Sequence, residues 1–279
     1  MRGSPDAFLY GSTMFEPKPP SLRERLILRI GGYSELMYWY RSLRPRWLWR
    51  LTSPFGRPTT KYVKTNGFKV KRGAFEGLEY PAKALGHTNY LSSKLMGVYE
   101  PQVVSFLDEH AGSAEVFVDL GSGDGFFCVG VARLASPRII GYETNRFERQ
   151  LAESIASANG VTFEARGLAG VDELKSLPEG NLLLLSDIEG LEEDFIDPAL
   201  VPRLADATMV VETHEQFRPN VIETLTRRFE DTHTVTRLFA APPSPEQHPE
   251  VAGWDRKEVE LTVYDGHVEG DSWMTFVPK

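Results

Sequence analysis

The sequence predicts an α/β protein built on one seven-stranded, mostly parallel sheet with helices on both faces. Three observations predict it. From residue 116 onward, short apolar runs alternate with helical stretches, the pattern of a parallel sheet covered on both sides. The run at 116–120 leads directly into a loop with glycines at 121, 123 and 125, and a helical stretch follows. A second run at 138–142 ends in Glu143, 20 positions after Gly123. Strand, glycine loop, helix and a second strand ending in a carboxylate together build a pocket for a nucleoside.

The elements follow in order. Residues 1–20 are rich in Pro, Gly and Ser and are expected to be poorly ordered. Ser21 with Glu24 makes a capping box for a helix to about residue 30, which stops at Gly31 and Gly32. A second helical stretch at 34–43 ends before Pro45. Tyr38, Trp39, Tyr40, Trp47 and Trp49 then interleave with Arg41, Arg44, Arg46 and Arg50. Such a run packs its aromatics on the main domain, meets an anionic membrane or glycan surface, or grips a nucleic-acid strand. Residues 61–75 read as a hairpin turning at Asn66-Gly67, with Phe68 and Val70 alternating with Lys69, Lys71 and Arg72. Residues 77–100 are loop-rich, and a helix at 100–110 leads into the sheet.

The expected strands are 115–120, 138–142, 161–165, 181–186, 208–213, 233–240, and either 258–264 or 271–277. Helices are expected at about 125–135, 145–158, 170–176, 191–204 and 216–229. The last strands read as antiparallel, interrupted by a Pro- and Glu-rich insertion at 241–253. Two domains are expected: an arm with a hairpin at 1–95 and a nucleoside-binding domain at 96–279. Five parallel units closed by an antiparallel pair is the layout of a class I methyltransferase, a Rossmann-like sheet, here with an N-terminal helical and hairpin extension.

Composition narrows the class. A single cysteine, Cys128, excludes an intrachain disulfide and a Cys-rich metal site, and a reducing cytoplasm is expected. No apolar run approaches the roughly 18–20 residues that span a bilayer, and no secretory signal is visible. Charge is uneven. Residues 1–75 carry 15 Lys/Arg against 4 Asp/Glu, whereas residues 76–279 carry 16 against 35. The acidic character of the larger part argues against an extended nucleic-acid track. Peripheral membrane contact through the basic arm stays open, as does assembly into a homo-oligomer.

The loop spacing selects the ligand. Gly121, Gly123 and Gly125 read GxGxG, whereas a dinucleotide site wants its third glycine where this chain has Phe126. The loop therefore suits S-adenosyl-L-methionine (SAM) rather than a pyrophosphate. Asp119, Gly121, Ser122, Gly123 and Gly125 are the candidate cradle, with Asp119 shaping the loop or accepting from the amino group of SAM. Glu143 can accept both ribose hydroxyls, and Asn145 caps the next helix. Glu164 or Arg166 is placed to approach the adenine.

The fourth strand ends in Asp187-Ile-Glu189-Gly-Leu-Glu192, and the fifth in Val-Val-Glu212-Thr-His214. With the glycine loop, these segments in this order resemble FkbM-type SAM-dependent methyltransferases over about residues 95–215. Leu185 stands where that family usually has a lysine. The resemblance implies methyl transfer to a hydroxyl, often on a sugar, glycan or natural product. His214 is the candidate base, with Asp187 as an alternative base or as its orienter, and Glu212 shares the strand face of His214. Asp187, Glu212 and His214 also form a donor set for a divalent cation. A third reading has Glu189 and Glu192 merely charging a helix N-terminus. The competing functions are a methyltransferase for RNA or a glycolipid held by the basic arm, and a non-catalytic module that keeps the fold.

Overall fold

The structure is a computed structural model, and it describes residues 46–279 apart from 89 and 241–247. The described residues belong to one compact unit, Arg41–Lys279. The helices expected at 21–30 and 34–43, and most of the aromatic-basic run at 38–49, lie outside the described residues. Among the described residues no helix is long and apolar enough to cross a membrane.

Seven strands form one sheet: β1 (Val116–Leu120), β2 (Arg138–Tyr142), β3 (Glu164–Arg166), β4 (Leu182–Ser186), β5 (Thr208–Thr213), β6 (His233–Phe239) and β7 (Ser272–Pro278). Their order is β3-β2-β1-β4-β5-β7-β6. β7 pairs antiparallel with β5 and β6, and the other pairings are parallel. This is the expected seven-stranded, mostly parallel sheet. The chain leaves β1 towards β2 on one side and returns to β4 on the other. That switch opens a crevice at the carboxyl ends of β1 and β4.

Strand periodicity explains why the apolar runs are continuous. All five residues of β1 and of β4 are buried. Phe117, Leu183, Leu185 and Val210 face one core, while Val116, Val118, Leu182, Leu184, Met209 and Val211 face the other. Successive side chains point to opposite faces, so a strand covered on both sides must be apolar throughout.

The helices of the described residues are α1 (Arg46–Thr52), α2 (Gly56–Asn66), α3 (Leu91–Met96), α4 (Pro101–Ala111), α5 (Phe126–Leu134), α6 (Arg146–Ala158), α7 (Val171–Lys175), α8 (Glu192–Phe195), α9 (Val221–Phe229) and α10 (Arg256–Val263). α6 starts as expected, with Asn145 Oδ1 accepting from the Phe147 N–H at 2.9 Å.

Four expectations are corrected, and the choice between two candidates for the last strand is decided. The hairpin at 61–75 is instead α2 followed by irregular chain with a lone bridge between Lys69 and Glu79. Pro58, Thr59, Tyr62 and Val63 are buried at helical spacing, and the Gly67 N–H closes the last turn on Val63 O at 2.9 Å. Asn66-Gly67 is thus a helix stop, the other role such a pair serves. The boundary at 95/96 does not separate two bodies. Tyr62, Phe75, Leu78, Tyr80 and Leu95 join Phe117 and Val129 in one core. Residues 258–264 are helical, capped by Asp255, so the last strand is the second of the two candidates. The helix expected at 191–204 shrinks to the single turn of α8 and a 3-10 turn at Pro202–Asp206. Pro198 keeps Asp197 out of helical backbone. Likewise α9 starts at Val221, beyond Pro219.

Candidate active site

The glycine loop hangs from β2. The N–H groups of Gly121 and Ser122 both donate to Tyr142 O at 2.9 Å, and the Gly125 N–H donates to Ser122 O at 2.8 Å. Gly121 has φ +89°, and a Cβ there would stand 1.8 Å from the carbonyl oxygen of Asp187. No other residue fits. At Gly123 a Cβ would meet nothing nearer than 4.0 Å, so that side of the loop is open to a ligand.

Glu143 does more than end a strand. Its Oε2 accepts from the Gly123 N–H at 3.0 Å and its Oε1 from the Asn145 N–H at 2.6 Å. The carboxylate ties the loop to the end of β2. The Thr144 hydroxyl also donates to Oε1, at 3.4 Å. A carboxylate offers about four lone-pair positions, so one acceptor position, on Oε2, remains for a ribose hydroxyl. Burial pushes its pKa up, and the two backbone N–H groups oppose the shift. Asp119 lies beneath the loop, 1% exposed, with the Cys128 thiol donating to Oδ2 at 3.4 Å. Burial raises its pKa to about 7, with the charge of Glu143 adding to the effect and the Cys128 hydrogen bond opposing it. Arg166 is held on β3 by Glu164 and donates to the Tyr142 hydroxyl at 3.0 Å. Phe126 fills the slot of a third dinucleotide-type glycine. Its ring packs edge-on against Phe75 and Tyr99, with centroids 5.2 and 5.6 Å away.

Across the crevice, β4 and β5 deliver the second group. Asp187 follows β4, Glu212 lies in β5 and His214 follows it. One donor atom from each lies within 4.8 Å of the others. His214 is 4% exposed. Its Nδ1 lies 2.7 Å from Oε1 of Glu192, which is itself fully buried and also accepts from the Gly190 N–H at 3.1 Å. An acceptor at Nδ1 sets the imidazole so that Nε2 faces the crevice. Nε2 lies 3.6 Å from Asp187 Oδ1, 3.5 Å from Glu189 Oε2 and 3.6 Å from Glu212 Oε1. Glu192, rather than Asp187, is therefore the orienter of the histidine. Burial lowers the pKa of His214, but the Glu192 hydrogen bond and the surrounding carboxylates outweigh it and the net shift is upward. Desolvation and the charges of Glu212 and Glu189 hold Asp187 well above the usual carboxylate range, although 41% of its side-chain surface is accessible.

Three participants had no local signal in the sequence. His267, between α10 and β7, places Nε2 at 3.2 Å from Glu212 Oε1 and Nδ1 at 3.7 Å from Asp265 Oδ1. Burial opposes its charge, but Asp265 and Glu212 raise its pKa to about 11. Glu100, at the start of α4, is 3% exposed. Burial and the charge of Glu212 raise its pKa to about 7. Lys94 on α3 donates to Asp124 Oδ1 of the glycine loop at 2.8 Å. Among the described residues the non-glycine positive-φ positions are Tyr90, Glu100 and Glu189, and the two glutamates belong to this group. Left-handed backbone outside glycine is costly and clusters at functional sites.

No family model and no curated protein matches the chain. Among solved structures it is similar to an rRNA methylase from Streptococcus thermophilus, at 10% identity over 64% of this chain and 95% of that one, TM-score 0.45. It is similar to the O-methyltransferase TomG from Streptomyces achromogenes in complex with SAM, at 15% identity over 63% and 80%, TM-score 0.44. A putative O-methyltransferase from Klebsiella pneumoniae aligns at 11% identity over 81% and 90%, TM-score 0.43. These are likenesses of fold.

Proposed function

We propose that the chain is a SAM-dependent O-methyltransferase that methylates a hydroxyl of a sugar, glycan or natural product, as FkbM-type enzymes do. One observation carries the reading. The glycine loop and the imidazole-carboxylate group are neighbours at the carboxyl ends of β1, β4 and β5, with the Asp187 carbonyl oxygen seated against Gly121. A nucleoside-bound methyl donor and a proton acceptor meet there. The fit to the donor rests on the open face at Gly123 and on the unused lone pair of Glu143 Oε2.

When bound, SAM supplies a methyl carbon on a sulfonium, already attached to a good leaving group. The protein has to align the acceptor oxygen within about 3–3.5 Å of that carbon and take its proton. Nε2 of His214 would take the proton of the acceptor hydroxyl. Glu192 fixes the tautomer and stabilises the imidazolium that results. Asp187 and Glu212, on either side of Nε2, hold the acceptor hydroxyls.

A specific observation favours a second reading of the same centre. Three carboxylate oxygens ring Nε2 at 3.5–3.6 Å, too far for hydrogen bonds and spaced as ligands around a divalent cation. Asp187, Glu212 and His214 would hold it, with Glu192 behind the imidazole as the outer carboxylate.

The test is calorimetric titration with S-adenosylhomocysteine (SAH) and with NAD. SAH binds at micromolar strength and NAD does not, and Glu143→Ala weakens SAH markedly. SAH affinity unchanged by that substitution removes the ribose role, and no SAH binding by the natural chain removes the methyl-donor reading.

A further inference from the structure

We infer that Lys94 is the counter-ion for the α-carboxylate of the cofactor's amino-acid tail. This rests on the SAM reading above and adds a carboxylate subsite to it.

The crevice is lined by acidic residues: Asp119 below the glycine loop and Asp124 in it, with Glu100, Asp187 and Glu212 towards the acceptor side. Two of the charges of such a cofactor, its sulfonium and its ammonium, suit those surroundings. The third is a carboxylate, which an acidic crevice repels and which cannot lose its water without a cation nearby. Among the described residues Lys94 is the only Lys or Arg that is buried, at 7% exposure.

Its position matches the course of the tail. With the ribose at Glu143 on β2, the amino-acid end must cross the carboxyl end of β1 on its way to the acceptor side at β4 and β5. α3 carries Lys94 to that crossing. Nζ donates to Asp124 Oδ1, and Asp124 stands between Gly123 and Gly125 in the loop itself. The charge of Lys94 is felt at Asp119, at the end of β1, and at Glu100, on the far side. The ion pair with Asp124 places Nζ against the glycine loop.

The surroundings keep the ammonium in place with donors to spare. Asp124 is itself fixed, with the Tyr80 hydroxyl on Oδ2 and the Phe126 N–H on Oδ1, both at 3.3 Å. The rings of Tyr99 and Phe126 lie 4.7 and 5.4 Å from Nζ. Aromatic faces attract a cation without consuming hydrogen-bond acceptors. A lysine has three donors, and one hydrogen bond goes to Asp124. A carboxylate arriving beside the loop would take a second donor, in a dry site where charge-assisted hydrogen bonds are strong.

The test compares two ligands that share the adenosyl thioether. SAH carries the amino-acid tail, and 5′-methylthioadenosine does not. Lys94→Met keeps the bulk of the stem and removes the charge. The expected result is a roughly 10–100-fold loss of SAH affinity, with methylthioadenosine changed less than about 3-fold. An equal loss for both ligands, or none for SAH, overturns the inference and leaves Lys94 as a strut between α3 and the loop. Should Lys94→Met not fold, the natural chain decides with SAH and its decarboxylated analogue. A similar drop for the analogue supports the carboxylate subsite, and equal affinity overturns it. If the natural chain binds neither SAH nor methylthioadenosine, the SAM reading itself falls, an outcome visibly different from a failure of Lys94 alone.

Discussion

The two halves of the crevice are built in different ways. On the proposed donor side the groups other than Lys94 lie between residues 119 and 145, on one strand-loop-helix-strand unit, and backbone geometry makes the site. On the acceptor side the groups come from residues 100, 187, 192, 212, 214 and 267, and only the convergence of β4, β5, α4, α8 and the α10–β7 connection brings them together. The donor side is built from backbone N–H groups, one tethered carboxylate and the Lys94–Asp124 ion pair. The acceptor side concentrates several carboxylates around two imidazoles. A backbone-made site tolerates little change in shape, whereas a side-chain-made site tolerates changes in shape better than changes in charge.

Substitutions sharpen or break that contrast. The largest effect is expected on the acceptor side. His214→Ala lowers turnover by roughly 10²–10⁴-fold while SAH affinity is kept. Single-turnover kinetics beside calorimetry checks this, and near-normal turnover would show that the acceptor side does not hold the base. The same assay with and without a chelator separates the two readings of the centre. Turnover indifferent to chelation leaves His214 as base, and turnover restored by an added divalent cation moves the chemistry to a metal.

On the donor side, Gly121→Ala is expected to cost about 3 kcal/mol or more, because φ +89° and a 1.8 Å approach to the Asp187 carbonyl oxygen both exclude a Cβ. Denaturant unfolding measures it, with Gly123→Ala as the control that keeps stability better. Equal losses at the two glycines would mean that the loop is not shaped by its approach to β4.

The smallest effect is a pH dependence. The Asp119 carboxyl has its pKa raised from 3.8 to about 7. The folded chain therefore keeps a proton there that the unfolded chain has released. The contribution is fully present below about pH 3.8 and is lost as pH rises through 7. Asp119→Asn removes this dependence. The variant should match the natural chain near pH 4 and gain on the order of 1–3 kcal/mol relative to it by pH 8. Parallel unfolding curves across that range would show that Asp119 is ionised throughout.

The donor half and the sheet were legible because their signals are local. A glycine that must take positive φ, a carboxylate at a fixed distance along the chain and strands buried on both faces each leave a mark within a few residues. The hairpin misreading at Asn66-Gly67 shows the limit of such marks, since the same pair stops a helix. Whether Tyr62 and Val63 alternate across a strand or share a helix face was decided by the core they join with Phe75 and Leu78.

By itself the sequence determined the sheet, its glycine loop and the carboxylate at the end of β2, because backbone sterics and the period of side-chain burial act over short stretches. Only the tertiary structure decided that Glu192 orients His214, that His267 and Glu100 crowd Glu212, and that Lys94 sits as a buried cation against the loop. Charges act through space over distances unrelated to chain separation, so their partners are fixed only when the strands have been brought side by side.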